Sequence, residues 1–583
     1  MEMKEQSVWT DGTGSVTQTA AQADKDTKGA AEAAANVDWE TGKAPGAGGN
    51  AETEQTRRLR ENFGFIAPAA FVYAVFYVLC MYRNGSGITF PFFVAGSLLF
   101  LRLSSLRLGI TLKKGTAFYS LAMVLLGIST FCTDDGRIIF FNKLGVFLLT
   151  MSLLLKQYFD TSGWRLGKYL ASICQLVFAS FGELGRPISD GALYGKSRKS
   201  RLDKRFWYVA LGLLIGIPLL LIVLLLLASA DAIFGQMTSQ FLEAVNLADC
   251  FSIGLHMAAA FFGTYALTAY LCRHRIREEV TDRRKAEPVL AITVTGLLTA
   301  LYLLFSCVQI GGLFLGRMRL PEGYTYAMYA REGFFQLLAV GFLNLAIVLV
   351  CMSYFRESKV LKGILTLMSV CTFIMIASSA MRMVIYIRYY YLTFLRILVL
   401  WGLALLAVLF LGVVIDILKE GFPLFGYSMA VVAVFYLALS FAHPDYIIAK
   451  VNVANAAGTA GVREAGTEQV SEGSRSDLLE GGFFLAEEPY QDYAYLQSLS
   501  ADAGPVLVPY LEELGYHMEA FQADFPMEYA MKTTESDYGD RNGVSARETF
   551  GYYWMARQKI RTADLGIRTF NLSRYLTVQS LGK

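Results

Sequence analysis

Long apolar runs recur along this chain, among them "VALGLLIGIPLLLIVLLLLASA" (Val209–Ala230) and "ILVLWGLALLAVLFLGVVI" (Ile397–Ile415). A run of about 18 or more such residues crosses roughly 30 Å of hydrocarbon as a helix. In that layer a chain must satisfy its own backbone, so only helices or closed barrels survive, and unbroken runs exclude the alternating pattern of a barrel. The composition agrees: 54% of residues are hydrophobic and only 17% charged. The sequence therefore predicts an all-α polytopic membrane protein with about eleven transmembrane helices and a small, mainly helical C-terminal region.

The expected spans are Gly64–Met81, Ile88–Leu103, Thr116–Cys132, Ile138–Leu155, Phe206–Ala230, Phe251–Cys272, Val289–Leu315, Gly333–Phe355, Val360–Tyr386, Leu392–Ile415 and Leu424–Ala442. Short loops rich in Lys and Arg stay in the cytoplasm. Such loops alternate here: Arg57, Arg58 and Arg60 precede the first span, Arg102, Arg107, Lys113 and Lys114 follow the second, and Arg273, Arg275, Arg277, Arg283, Arg284 and Lys285 follow the sixth. Asp231–Cys250 contains no Lys or Arg, as an external loop should. The apolar segment Tyr169–Gly185 has basic residues on both flanks and reads as an interfacial or re-entrant helix. An odd number of crossings then places the N-terminus in the cytoplasm and the C-terminus outside the cell membrane.

Residues 1–55, poor in apolar groups, read as a disordered cytoplasmic tail. Residues 56–205 hold four spans, the interfacial helix and a basic loop, and 206–442 form a seven-helix core. Residues 443–481 read as a linker and 482–583 as an extracytoplasmic helical region, where Ser545 and Glu548 have the spacing of a capping box.

The segment "MRMVIYIRYYYLTFLRIL" places Arg382, Arg388 and Arg396 near the outer ends of the ninth and tenth spans. Guanidinium groups at that depth must snorkel, find partners or line a wet cavity. Asp231, Arg331, Glu332 and Asp445 occupy the same side, so these seven residues are expected to form one polar cluster at the outer helix ends. Two readings compete: a vestibule for an anionic or zwitterionic ligand, which Arg suits, and an ion-pair network that locks helix ends together. Asn344 lies mid-membrane in "GFLNLAIVL", where an interhelical hydrogen bond is favoured over a substrate contact.

Other signals are weaker. "GLLIG" and "GLFLG" have small-residue spacing that packing alone explains. The segment from Tyr538 to Thr549 brushes against a calcium loop but has Tyr and Thr where the essential carboxylates belong. No nucleotide, serine-hydrolase or zinc-protease motif is visible, and no catalytic residue, cofactor or metal is assigned. The eight cysteines form no C-x-x-C pair and the four histidines are scattered. Asp134 and Asp135 in "TDDGR" could be the paired carboxylates of a membrane transferase, yet a solvated turn is the favoured reading. A net charge of +3 says nothing of nucleic acid, and none is expected. The expected partners are the lipid bilayer and an envelope protein or small anionic ligand.

Several segments resemble an uncharacterised bacterial multi-pass membrane family, DUF 4173, and its relative DUF 4153. They are "LLASADAIF" (Leu226–Phe234), "YAREGFFQLLAVGFLNLAIVL" (Tyr329–Leu349), "SAMRMVIYIRYYYLTFLRI" (Ser379–Ile397), "HPDYIIAKVN" (His443–Asn452) and "YLQSLSADAGPVL" (Tyr495–Leu507). The pattern favours Asn before Pro-Asp and Tyr-Gly-Leu-Thr before Leu-Arg, where this chain has His443 and Tyr391. The resemblance implies a membrane protein and assigns no activity. Three functions stand open: a non-enzymatic envelope protein that senses, binds or scaffolds through its outer face, a transporter for an anionic or zwitterionic solute, and a membrane transferase.

Overall fold

The computed structural model describes residues 53–113, 115–161, 163–164, 166–197, scattered positions between 212 and 234, 247–273, 276, 284–311, 326–419, 421–466, 490–515, 546–562 and 565–581. The chain divides into two units, Met1–Arg57 and Arg58–Lys583. After a short helix at Glu54–Glu61, the first four long helices are α1 (Phe63–Met81), α2 (Thr89–Arg107), α3 (Thr116–Cys132) and α4 (Gly136–Tyr158). Two shorter ones follow, α5 (Leu166–Ser180) and α6 (Arg186–Ser197). The remaining long helices are α7 (Leu247–Cys272), α8 (Pro288–Gln309), α9 (Tyr326–Tyr354), α10 (Lys359–Tyr390), α11 (Phe394–Leu418) and α12 (Leu424–Phe441). The C-terminal helices are α13 (Pro444–Gly466), α14 (Tyr490–Ser498), α15 (Gly504–Glu513), α16 (Ala546–Thr562) and α17 (Leu572–Leu581).

Ten of the expected spans are thus helices, and nine helices among the described residues are long and apolar enough to cross a membrane, with the 17-residue α3 just short of that length. The fifth expected span, the N-terminal tail and the capping residue Ser545 fall largely or wholly outside the described residues. Large apolar side chains point away from the bundle, for example Phe92 at 61% and Leu297 at 73% exposure. Such a surface would aggregate in water and suits lipid, so the fold is that of an all-α polytopic membrane protein.

Short connections force neighbouring helices to run antiparallel, which sorts the helix ends onto two faces. One face gathers the Lys- and Arg-rich loops. There α5 and α6 lie across the ends of α1, α4 and α7, burying Trp164, Tyr169, Leu176, Tyr265 and Tyr270. Two acidic groups pin them: Glu183 pairs with Arg186 at 2.8 Å and with Arg273, and Asp190 accepts from Arg60 and Tyr265, both at 3.2 Å. Helix α5 has 15 residues, too few to span.

The opposite face carries α13–α17, which form a cap. Of the expected linker at 443–481, Pro444–Gly466 is helical instead, its first turns anchored by the buried Ile448 and Ala449, and residues 467–481 lie outside the described residues. The cap core joins these to Leu496, Leu507, Leu511 and Trp554 above Ile138, Phe394 and Leu439 of the membrane helices.

Candidate functional site

The densest chemistry in the molecule lies where the cap meets the membrane helices. The turn Thr133–Asp135 between α3 and α4 is only three residues long, so its side chains are fixed by the two helix ends. Asp135 caps α4 by accepting from the Arg137 N–H at 2.9 Å. It also receives the Arg137 guanidinium through Nε and NH2, both at 2.9 Å. The same NH2 reaches Asp445 at 2.5 Å, so Arg137 bridges two carboxylates while its guanidinium stacks 3.9 Å over the Phe394 ring.

Asp134 and Asp502 form the second half of this knot. The Asp134 N–H donates to Asp502 Oδ1 at 2.6 Å, and the Ala501 N–H donates back to Asp134 Oδ2 at 3.4 Å. Asp134 pairs with Arg574 at 2.6 Å and Arg561 at 2.9 Å. Asp502 accepts from Thr133 Oγ1 at 2.5 Å, Ser573 Oγ at 2.6 Å and His443 Nδ1 at 3.1 Å. All four carboxylates are 5% exposed or less. They are not the solvated turn expected of "TDDGR": the cap closes over them and supplies the charges that water would have screened.

Their environments tune them differently. Burial pushes the Asp502 carboxyl up, but hydrogen bonds from His443, the Asp134 amide, Ser573 and Thr133 outweigh it and hold it below the ordinary carboxylate range. Burial, then the neighbouring Asp135 charge, pushes Asp445 upward against the pull of Arg137. The Asp502 hydrogen bond raises His443 above its usual value, overcoming the opposing effect of burial.

Of the seven residues expected to cluster, the four with described side chains, Asp231, Arg382, Arg396 and Asp445, do not come together. Asp231 is exposed and accepts from the Phe234 N–H at 2.7 Å. Arg331, Glu332 and Arg388 lie on helical backbone, with side chains outside the described residues. Arg382 is buried and donates to Gln309 Oε1 of α8 at 3.4 Å, beside a 2.7 Å bond from Ser378 to the same oxygen. Arg396 turns back onto its own loop, donating to the Tyr391 carbonyl and lying 4.5 Å over the Tyr386 ring. Of these four, Asp445 alone enters the knot, through Arg137. Asn344 links three helices: Tyr302 of α8 donates to its Oδ1 and its Nδ2 donates to Thr372 of α10, both at 2.9 Å. Sequence reasoning missed Arg137, Asp502, Arg561, Ser573 and Arg574 as site residues, although Asp502 lies within the resembling segment "YLQSLSADAGPVL".

A belt of outward-facing apolar helices, closed at one end by a cap bolted through buried carboxylates, defines a capped polytopic membrane protein. The chain belongs to the family described as Domain of unknown function (DUF4153), which matches residues 120–510. It is one of the two related families that the chain's segments resemble. The matched region holds all four knot carboxylates, Arg137 and His443, and ends before α16 and α17. No curated protein and no solved structure matches the chain.

Proposed function

We propose that this chain is a non-enzymatic protein of the bacterial plasma membrane, with its Lys- and Arg-rich face in the cytoplasm and its cap outside, where the cap senses, binds or scaffolds an envelope component. The observation that carries this reading is the position of the cap on the face opposite the basic loops, since such loops are retained in the cytoplasm. The knot supports a fixed, non-catalytic cap: its carboxylates are taken up by Arg, His, hydroxyl and amide donors rather than presented to a substrate. The three-helix bonding of Asn344 and the packing of Arg382 on Gln309 favour helix cohesion over a solute path.

The test is compartment labelling. Glu512 is exposed on α15, so a Glu512→Cys variant should react with a membrane-impermeant maleimide on intact cells, above the level of the parent protein. Labelling that appears only after permeabilisation overturns the orientation, and with it an outward-facing cap.

A further inference from the structure

Beside the cap, on the same face, a cleft of about 500 Å³ opens between the end of α1 and the start of α7, lined by Tyr77, Met81, Tyr82, Arg83, Asp249 and His256 together with Val78 and Ser252. That volume falls in the range of small-ligand sites. Its centre is an Arg–Asp fork. Arg83 NH1 donates to Asp249 Oδ2 at 3.1 Å and NH2 to Asp249 Oδ1 at 2.5 Å, while Tyr82 OH donates to Oδ1 at 3.2 Å. The Arg83 side chain is nevertheless 67% exposed, so the guanidinium stays open to solvent, and that of Asp249 is 26% exposed.

The backbone here is held in a form that needs support. Arg83 has φ of 50°, a left-handed conformation that costs a non-glycine residue energy and persists only where its surroundings over-determine it. The surroundings do so. Asn84 donates to the Cys80 and Arg568 carbonyls at 3.2 and 2.9 Å and accepts from the Gly87 N–H at 2.9 Å. From the cap, Arg568 donates to the Tyr82 carbonyl at 2.6 Å, Asn571 to the Ser86 carbonyl at 3.1 Å, and the Phe570 carbonyl accepts from the Ile88 N–H at 2.8 Å. The cap therefore fixes the loop that presents Arg83.

The lining chemistry has both signs. Arg83 offers donors to an oxyanion, and the Asp249 carboxylate, with Tyr77 and Tyr82 in the lining, offers a seat for an ammonium. His256 Nδ1 lies 2.7 Å from the Ser252 carbonyl, which can only accept, so this nitrogen donates there. The ring lies edge-on to Tyr82, with centroids 5.8 Å apart. The sides of Val78 and Met81 add apolar wall. We propose that this cleft binds a zwitterionic head, an oxyanion with an ammonium a few bonds away, on the Arg83–Asp249 pair. The proposal holds whichever compartment the face meets. A phosphoethanolamine lipid and a free zwitterionic solute share this chemistry.

The experiment is calorimetric binding to the full chain in neutral detergent, with dihexanoyl phosphatidylethanolamine, soluble phosphoethanolamine and inorganic phosphate as probes. Wild-type protein should bind a zwitterionic probe and take up phosphate at least ~10-fold more weakly, since phosphate reaches only half the pair. Preference for the short-chain lipid over the soluble head assigns the cleft to a lipid, and equal binding assigns it to a solute. Arg83→Gln should weaken binding by ~10-fold or more. Asp249→Asn separates the ideas: a zwitterion site loses affinity, whereas a simple anion site gains it as the nearby negative charge disappears. Ser252→Trp, which fills the cleft and leaves the fork, should abolish binding. Unchanged melting of each variant in a tryptophan-fluorescence scan confirms that the fold is intact. Binding that is absent in the wild type, unaffected by Ser252→Trp, or strengthened by Asp249→Asn overturns the proposal.

Discussion

Three described non-glycine residues have positive φ: Arg83 at 50°, Tyr391 at 55° and His443 at 47°. Two of them are the positions where this chain departs from the pattern it resembles, which has Gly and Asn there. The physical reason is backbone conformation. Tyr391 ends α10 in a turn clamped by Asn452, whose amide donates to the Leu392 carbonyl at 2.9 Å and accepts from its N–H at 2.8 Å. His443 makes the corner between the last membrane helix and α13. A side chain in the left-handed region costs roughly 1–2 kcal/mol, and glycine returns roughly 0.5–1 of that as unfolded-state freedom. Tyr391→Gly should therefore stabilise the protein by on the order of 0.5–1 kcal/mol, seen as a higher melting temperature in detergent; a lower one would show that Tyr391 contributes more by packing than it costs in strain. His443 adds a pH dependence. Its raised folded value means that its bond to Asp502 stabilises fully below the ordinary 6.5 and is lost as pH rises through the folded value. Asp502, held low, stabilises above its ordinary 3.8 and loses that contribution as pH falls through its lowered value. Melting should thus be highest in mildly acid solution and decline toward alkaline pH. His443→Asn, which keeps a donor and suits the backbone, should flatten the alkaline limb.

At the scale of elements, the membrane helices were legible because run length alone decides them: α1, α4, α11 and α12 lie within a few residues of the expected spans. The cap and its knot were not, because carboxylates and arginines carry no periodic signal and their partners are distant in sequence. Arg137 and Asp445 are 308 positions apart, and Arg574 and Asp134 are 440 apart. Depth in the membrane suggested Arg382 and Arg396 as partners of Asp445, but each is occupied within or beside its own helix, and the first turn of α4 supplies the cation instead. This makes Arg137 the most consequential single side chain at the join. Arg137→Gln leaves Asp135 and Asp445 buried without their shared counter-charge, and should cost roughly 3–5 kcal/mol. Arg137→Gln combined with Asp445→Asn should recover part of that loss in the same melting assay. A double variant no better than the single one would mean that the fork acts through Asp135 alone.

Across the whole molecule, two acidic centres hold opposite ends of the bundle: Glu183 and Asp190 beneath the basic loops, and the four-carboxylate knot beneath the cap. They share no residue, so coupling between the faces must pass through the helices. The cap knot draws partners from farther along the chain, since Arg561, Ser573 and Arg574 arrive from α16 and α17. Removing residues 546–583 strips Asp134 of both arginines and Asp502 of Ser573, and releases the loop 82–88 from Arg568, Phe570 and Asn571. Amide hydrogen exchange should then accelerate at residues 82–88, 133–137 and 500–504. Around Glu183, Asp190 and Tyr265 it should stay as in the full chain, because none of their partners is lost. Acceleration at both ends would instead make the bundle one cooperative unit, whose basic face depends on the cap through helix packing rather than through contacts of its own.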